Sequence, residues 1–556
     1  MIQLLYGNGG AVSKEIITSN KKYKNMMTGT LNIIDAIVIT CYFAFIVLLG
    51  LKYRKSSTAE GYFLASRSVS WPVVGFSMFA ASISSSTLIG QSGDAYSTGI
   101  GVFNYSFMAI IVMLTFVWFI LPFYIKSGVY TIPEFLGKRY DQKSRYYFSA
   151  ITIIINIFLD AAGSLYAAAL VMKLVFPEMS IEFFVVIFAL VVAAYTIPGG
   201  LSSAIRVDLI QGIVLTAGAI CLTIIISLKG GTSYIIDMMM NNDITMKLVR
   251  PMSDPSVPWL GMILGIPILG FFFWTNNQQL VQRVLTAKSL DDGRKGVLMV
   301  GFLTLLTLFI IIIPGVMARK FFPDLAKPDM VYPSLIINML PVGVIGFLLA
   351  ALIAALTSTL SGLLNSVATL FTMDFYKSVK KESTPENQVK VGKIVSVIVL
   401  IIAVLWAPQI GERFSSLVKY YQEMLSMLAP PIVSAFLLGL FWKRINANAA
   451  FYGMIIGAVP GLVNMIYKIY TGTSIFGDMH FLNTVPIYMA FSMVIMIIFS
   501  YLSPAPDSDS AKDLIWTKRV FKEDTLSLVG IPFYKNYRFI SYILLATFVL
   551  MLVVFW

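Results

Sequence analysis

Side chains that serve in catalysis or metal binding are scarce in this chain, which has one histidine and two cysteines among its 556 residues. Cys41 and Cys221 lie inside apolar runs, so we expect neither a disulfide framework nor a thiolate metal site. His480 alone cannot build a zinc or haem site. There is no HExxH motif, nucleophile elbow or phosphate-binding glycine loop. The chain is therefore not expected to be an enzyme, and any transport must draw its energy from a gradient or from another chain.

Charged residues are also few. They make up 12% of the chain, against 58% hydrophobic residues, and the mean hydropathy is +0.81. The apolar residues fall in runs of roughly 18 to 30, which is long enough for a helix to cross a bilayer. These values predict an all-α polytopic membrane protein. We attribute the net charge of +13 to basic residues at the cytoplasmic face, so no nucleic acid partner is expected.

The apolar runs predict about 14 transmembrane helices and no folded domain outside the membrane. A tail over 1–30 lacks the apolar core of a signal peptide and is expected to remain. The connection 503–539 is too short to form a core of its own and is expected to be a linker. The predicted spans are 31–51, 69–93, 102–125, 146–175, 181–197, 205–228, 258–275, 296–320, 342–373, 391–408, 416–441, 450–468, 482–502 and 540–556.

The distribution of Lys and Arg predicts the orientation of these spans. With the N-terminus outside, the inside connections hold most of the basic residues, among them Arg54, Lys55, Lys138 and Lys377. The basic N-terminal tail departs from this pattern. An even number of spans places both termini on the extracellular or periplasmic side of the plasma (inner) membrane, and 503–539 on the cytoplasmic side.

Phe79–Gly93 reads F-A-A-S-I-S-S-S-T-L-I-G-Q-S-G, with hydroxyl side chains and two later glycines inside a membrane span. Hydroxyls in hydrocarbon need partners, and glycine-loosened helices at bilayer depth occur where the freed backbone faces a cavity. We therefore expect half of an ion and solute site here. The hydroxyl residues are Ser82, Ser84, Ser85, Ser86 and Thr87.

A second hydroxyl cluster lies in the stretch 350–366, after alanines that permit close helix packing. Sodium prefers about five or six oxygen ligands, which hydroxyls and freed carbonyls supply without a fixed charge. The alternative is that small hydroxyl residues only mediate helix packing. Two clusters in equivalent places of the two chain halves favour the ion site. The residues of the second cluster are Thr357, Ser358, Thr359, Ser361 and Asn365.

Two carboxylates lie inside or at the start of predicted spans. For Asp208, the alternative to a functional role is an interfacial helix end paired with Arg206. Asp160 lies in mid-span, where an unpaired carboxylate costs several kcal/mol, so we expect it to face a cavity. It could contact substrate, couple a proton, or pair with a residue that the sequence does not identify.

Aromatic residues run directly into amides in Gly270–Arg283, which reads G-F-F-F-W-T-N-N-Q-Q-L-V-Q-R. Aromatic faces with adjacent amides suit a sugar-like ligand, because the ring stacks on the sugar while the amides bind its hydroxyls. The alternative is an aromatic belt at the membrane interface.

Several long motifs occur in order along the chain. They are V-Y-T-I-P-E-F-L-G-K-R-Y at 129–140, Y-T-I-P-G-G-L-S-S-A-I-R-V-D-L-I-Q at 195–211, N-Q-Q-L-V-Q-R-V-L-T-A-K-S-L at 277–290, T-M-D-F-Y-K at 372–377 and L-L-G-L-F-W-K-R at 437–444. This set resembles the sodium:solute symporter family, which includes the sodium/glucose cotransporters, over nearly the whole chain. Ala449 departs from the family signature, which prefers glycine.

The resemblance implies a five-plus-five inverted-repeat transporter core, with repeats at 69–228 and 258–441. One helix at 31–51 precedes the core, and two peripheral helices within 450–502 and a C-terminal helix at 540–556 follow it. The resemblance also places Asp208 near the ion exit route. A second sodium ion would use two serines, where this chain has Ser361 and Gly362. The main sodium (Na+) site would use Ala80, Ile83, Ala355, Ser358 and Thr359.

The solute side chains of the family transfer less well. Compared with a bacterial galactose symporter, the chain keeps Trp274 and Gln422, has Phe273 for an inner-gate tyrosine and Asp160 for an asparagine, and loses amides and charges elsewhere. The resemblance therefore implies a sugar or polyol rather than galactose itself. The expected solute-binding residues are Thr87, Ser106, Asp160, Phe273, Trp274, Thr304 and Gln422.

The sequence thus predicts a sodium-coupled secondary active symporter that imports a small polar organic solute by alternating access. Its expected partners are the solute, sodium and membrane lipids, with no obligatory protein partner. The open alternatives are sodium symport of a non-sugar solute such as sialic acid or an amino acid, proton coupling through Asp160, and a membrane sensor that binds solute without transport.

Overall fold

The computed structural model describes residues 32–53, 58–83, 86–176, 178–325, 327–413, 417–506 and 512–556. Within these ranges the regular secondary structure is helical, apart from one isolated bridge between Val69 and Ala287. Several features noted in the sequence lie outside the described residues: the tail 1–30, most of the stretch 503–511, Arg54, Lys55, Ser84 and Ser85.

Eleven of the described helices are long and apolar enough to cross a membrane, and the bent pair α3–α4 would form a twelfth span. The predicted all-α polytopic fold is confirmed at this level. The main helices are α1 (Ile33–Lys52), α2 (Ala59–Leu64), α3 (Trp71–Ser82), α4 (Thr87–Thr98), α5 (Ile100–Ser127), α6 (Ile132–Arg139), α7 (Gln142–Lys173), α8 (Ile181–Met240), α9 (Gly261–Asn276), α10 (Gln278–Val284), α11 (Leu290–Phe321), α12 (Val331–Met339), α13 (Val344–Val379), α14 (Pro385–Ile410), α15 (Tyr421–Phe441), α16 (Ala447–Lys468), α17 (Phe481–Leu502), α18 (Lys518–Ser527) and α19 (Tyr537–Val554).

Helix α8 is too long for one straight span, and it breaks at Gly200. This residue has φ +57°, a left-handed conformation that favours glycine, and it follows Pro198 within the helix. A Cβ at Gly200 would lie 2.6 Å from the carbonyl oxygen of Tyr62, so the chain also needs glycine for close packing. The predicted spans 181–197 and 205–228 correspond to the two arms on either side of this break.

Helix α13 lies at the centre of the bundle. The apolar 18-residue stretch of α13 is 88% buried, against 17% for the corresponding stretch of α1. Helix α13 packs on α1, α3, α7, α8 and α14. The outer helices present large apolar side chains such as Leu48, Leu405 and Val553 to the outside. Such a surface suits hydrocarbon, because the helical backbone satisfies its own polar groups. The polar residues of α13 are therefore sequestered from lipid.

Candidate functional site

The first element of the site is the break between α3 and α4. Helix α3 ends at Ser82, Ile83 has φ −83° and ψ 84°, and the two helices meet at an angle of 64°. Hydroxyls compete for the backbone here: Ser82 donates to the carbonyl of Phe79 at 2.8 Å, and Thr87 donates to the carbonyl of Ser82 at 3.3 Å. The break takes Ile83 out of the helical pattern, so its carbonyl is available to a neighbouring helix.

Helix α13 supplies that neighbour. The Thr359 hydroxyl lies 3.5 Å from the carbonyl oxygen of Ile83 and 3.2 Å from that of Ala355. Ala80, one turn before Ile83, is fully buried, and Ser358 adjoins Thr359. The structure thus brings the end of α3 against the hydroxyl-bearing turn of α13, where the sequence predicts the sodium site. Neutral hydroxyl and carbonyl oxygens in a buried setting suit a hard monovalent cation.

Beneath this turn lies a buried ion pair. Asp208 accepts from Arg283 Nη2 at 2.7 Å, from Ser77 at 3.2 Å and from Ser358 at 2.5 Å, and both charged side chains are almost fully buried. The alternative that Asp208 pairs with Arg206 is wrong, because the Arg206 guanidinium donates to a backbone carbonyl in its own helix. Asp208 joins α3, α8, α10 and α13, and the sequence alone did not indicate Arg283 as its partner.

Next to this pair lie Ser361 and Gly362, the positions considered for a second sodium ion. Ser361 accepts a hydrogen bond of 2.8 Å from the Thr196 hydroxyl. A Cβ at Gly362 would lie 2.6 Å from Arg283 Nη2, so the missing side chain makes room for the guanidinium. Replacing Gly362 by serine would therefore press on the ion pair.

A cavity begins at the helix break and extends between α3, α4, α5, α9, α11 and α15. Ile83 of the sodium region lines it, as do Gln91, Tyr105 and Tyr421, which the sequence reasoning did not select. Gln91 belongs to the G-Q-S-G end of Phe79–Gly93, and this polar residue inside a membrane span was a usable signal. Six of the seven predicted solute residues line this cavity: Thr87, Ser106, Phe273, Trp274, Thr304 and Gln422.

The amides after the aromatic run do not line this cavity, which corrects one interpretation of Gly270–Arg283. Gln278 bonds the backbone of Ile132 and Tyr130. Gln279 donates to the carbonyl of Thr359 at 3.2 Å, and Gln282 donates to that of Phe63. These amides therefore serve helix packing. The aromatics Phe272 and Trp274 are buried, so they are not an interfacial belt either.

Asp160 is the one predicted solute residue that is absent from the cavity lining. Its carboxyl lies next to the side chain of Tyr421, which does line the cavity. The Oδ2 atom of Asp160 has no hydrogen-bond partner among the described residues. The structure thus places Asp160 one side chain behind the cavity wall rather than on it.

The cavity adjoins a wider vestibule, with which it shares Tyr105 and Gln422. The vestibule lies at the ends of α4, α15, α16 and α17 that are remote from the basic connections. At the opposite face, Arg145 and Asp374 form a 2.6 Å ion pair, and Arg139 donates to the carbonyl of Gly439 at 2.8 Å. The cavity is therefore oriented towards the face that the charge pattern predicts to be outside.

The site combines a broken helix, a buried set of oxygen atoms and a polar cavity that adjoins them. This combination is typical of a membrane transport protein that couples a solute to a cation. A model of the sodium:solute symporter family matches residues 62–457. The chain belongs to this family, as its motifs implied. Because the members of the family are symporters, the prediction that the chain is not an enzyme is confirmed.

Relatives of known function agree with this membership. The sodium/myo-inositol cotransporter of Mus musculus is 31% identical, over 89% of this chain and 77% of the relative. Sodium/glucose cotransporter 4 of Mus musculus is 30% identical, over 88% of this chain and 78% of the relative. Among solved structures, the substrate-bound outward-open state of a Na+-coupled sialic acid symporter has a TM-score of 0.75 and 25% identity. The match covers 85% of this chain and 99% of the chain of the sialic acid symporter.

Proposed function

We propose that this protein is a sodium-coupled symporter that imports a sugar or polyol. The observation that carries the proposal is the contact of the Thr359 hydroxyl with the carbonyl oxygens of Ile83 and Ala355, directly beside a polar cavity. The names of the relatives support the solute class, since they are sodium/myo-inositol and sodium/glucose cotransporters. Trp274 and Phe273 would stack on the apolar face of such a solute, and Gln422 would bind its hydroxyls.

The coupling follows from the place of the ion. A sodium ion bound by Ile83 at the end of α3 and by Thr359 on α13 would hold these two helices together and stabilise the form in which the cavity faces the vestibule. Solute bound at Thr87 and Ser106 would then bridge the far side of the break. Closure above the solute and opening of the Arg145–Asp374 side would release both cargoes inward. Sodium binding therefore raises the affinity for solute, and by thermodynamic linkage solute binding raises the affinity for sodium by the same factor.

We also propose the finer architecture that the family implies. Counting the two arms of α8 separately, and adding α9 and the α3–α4 pair to the long helices, gives about 14 spans. Two breaks support a five-plus-five core: α3–α4, and α9–α10, where Asn277 is extended with ψ 117°. The proposed boundaries remain 69–228 and 258–441 for the repeats. Both termini would lie outside a plasma (inner) membrane, with 503–539 inside.

The test is uptake into proteoliposomes. Radiolabelled myo-inositol, glucose and sialic acid are supplied with an inward sodium gradient, or with choline in place of sodium. We expect sodium-dependent uptake of myo-inositol or glucose. If sodium has no effect on the uptake of any of these solutes, the proposed sodium coupling is wrong. If sodium drives the uptake of sialic acid alone, the proposed solute class is wrong.

The ion site has its own variant. Thr359→Ala removes a ligand oxygen, and we expect the sodium concentration for half-maximal uptake to rise about tenfold, which corresponds to about 1.4 kcal/mol. Thr547→Ala is the matched control, because Thr547 lies half-buried on α19, away from the site, and donates only to its own helix. An unchanged sodium response in Thr359→Ala would remove this residue from the site.

A further inference from the structure

The segment that connects α17 to α19 exposes large apolar side chains where a linker in water would be polar. Leu526 is 62% exposed, Val529 77%, Phe533 67% and Tyr534 60%. The segment lies wholly after residue 457, where the family model ends, and the transport cycle proposed above does not use it. Its apolar surface calls for an explanation of its own.

The segment is fixed to the bundle, so the exposed face has a defined direction. Asp524 of α18 accepts from Arg294, Tyr537 and Arg538, each at 2.6 Å. Upstream, the backbone N–H of Trp516 donates to the carbonyl of Leu440 at 2.8 Å. These bonds join α18 to the start of α11, the start of α19 and the end of α15.

The face of α18 opposite Asp524 carries positive charge. Lys518, Lys522 and Leu526 follow one another at four-residue spacing and therefore share a helix face. Asp524 is two residues from Lys522, which places it on the other side of the helix. Lys518 and Lys522, together with Lys535 further along, make no ion pair within the described part of the chain.

The segment is continuous with the lipid-facing surface. The ring of Phe533 packs on that of Phe539, with centroids 5.1 Å apart, and Phe539 lies in the first turn of α19. Tyr542 and Val553 of the same helix are exposed on its outer surface, as expected for residues in contact with acyl chains. Phe533 and Tyr534 thus lie beside the start of a membrane-spanning helix, and aromatic residues are favoured at such an interface.

We propose that residues 518–535 form a binding surface for anionic phospholipids of the inner leaflet. Lys518, Lys522 and Lys535 would bind the phosphodiester headgroups, while Leu526 and Val529 enter the boundary of the acyl chains. A lipid fits better than a soluble anion because the lysines alternate with exposed apolar residues beside a membrane span. In the orientation proposed above, the segment faces the cytoplasmic leaflet, which is the leaflet that carries anionic lipid.

The test uses the purified full chain in a neutral detergent. Its thermal unfolding midpoint is followed during titration with dioctanoyl phosphatidylglycerol, dioctanoyl phosphatidylcholine or inorganic phosphate. We expect the anionic lipid to raise the midpoint at lower concentration than the zwitterionic lipid, and phosphate to have no effect. Equal responses to the two lipids would overturn the proposal, and so would a shift produced by phosphate alone.

Variants locate the surface. The triple change Lys518→Gln, Lys522→Gln and Lys535→Gln should raise the concentration of phosphatidylglycerol that is needed by about tenfold and leave the lipid-free midpoint unchanged. A matched triple change at exposed lysines of the opposite face should keep the wild-type response to phosphatidylglycerol. That response is measured from the control's own lipid-free midpoint, because two of these lysines donate to backbone carbonyls. A full response to phosphatidylglycerol in the first variant, or its loss in the second, contradicts the assignment. The control positions are Lys229, Lys320 and Lys327.

Discussion

The ion pair between Asp208 and Arg283 gives the sharpest test of the structure. In Asp208→Asn the side chain keeps its size but loses its charge. Arg283 is then left charged and 1% exposed, with no carboxylate to compensate it. Ser77 and Ser358, which both donate to Asp208, would meet an amide that offers one acceptor oxygen in place of two.

The expected cost is large because both groups are buried. Removing one member of a buried pair destabilises a protein by about 3 to 5 kcal/mol, since the remaining charge stays desolvated. Replacing both members costs less, because no charge is then left alone. We therefore expect Asp208→Asn to lower the free energy of unfolding by about 3 to 5 kcal/mol, and Arg283→Met with Asp208→Leu to recover most of that loss.

The assay is denaturant unfolding of the purified protein in detergent, which measures the free energy of unfolding of each variant. Arg206→Gln is the matched control. It removes a guanidinium two residues from Asp208 that donates within its own helix and lies 4.4 Å from the ring centroid of Tyr53, so a change of about 1 kcal/mol or less is expected. An Asp208→Asn protein as stable as the wild type, or an Arg206→Gln protein as unstable as Asp208→Asn, would refute the pairing.

Three further outcomes are expected. Gly200→Ala should cost more than about 2 kcal/mol, because φ is +57° and the new Cβ meets Tyr62. Gly163→Ala, with open space around it, should be tolerated in the same unfolding assay. Gln422→Ala should raise the solute concentration for half-maximal uptake and leave the sodium concentration for half-maximal uptake unchanged when solute is saturating; a sodium shift that persists at saturating solute would place Gln422 in the ion site. Burial raises the pKa of Asp524, but the hydrogen bond from Tyr537 and the charges of Arg294 and Arg538 lower it more, so the net pKa lies below its ordinary value. The stabilisation by Asp524 should therefore be present at neutral pH and lost as the pH falls through that lowered pKa. The difference in unfolding midpoint between the wild type and Asp524→Asn, measured against pH, checks this; a difference that grows in acid would contradict it.

Two features were readable from local sequence. The runs of apolar residues predict membrane helices because crossing hydrocarbon is a matter of length and composition. The hydroxyl cluster that contains Ser358 and Thr359 was likewise visible, since a concentration of hydroxyl side chains inside an apolar span is a local property of the sequence. The family motifs added the pairing of this cluster with Ile83, and in the structure the Thr359 hydroxyl lies 3.5 Å from the Ile83 carbonyl oxygen.

Tertiary structure alone decided the partners of the polar groups. Arg283 lies 75 residues from Asp208, and nothing local distinguishes it from Arg206 as the counter-ion. Gln279 and Asp160 were both expected near solute, yet one holds the carbonyl of Thr359 and the other lies behind Tyr421. A sequence records which side chains a helix carries. The direction in which that helix faces is set by packing against helices far away in the chain, and that packing determines which polar groups meet a ligand and which meet each other.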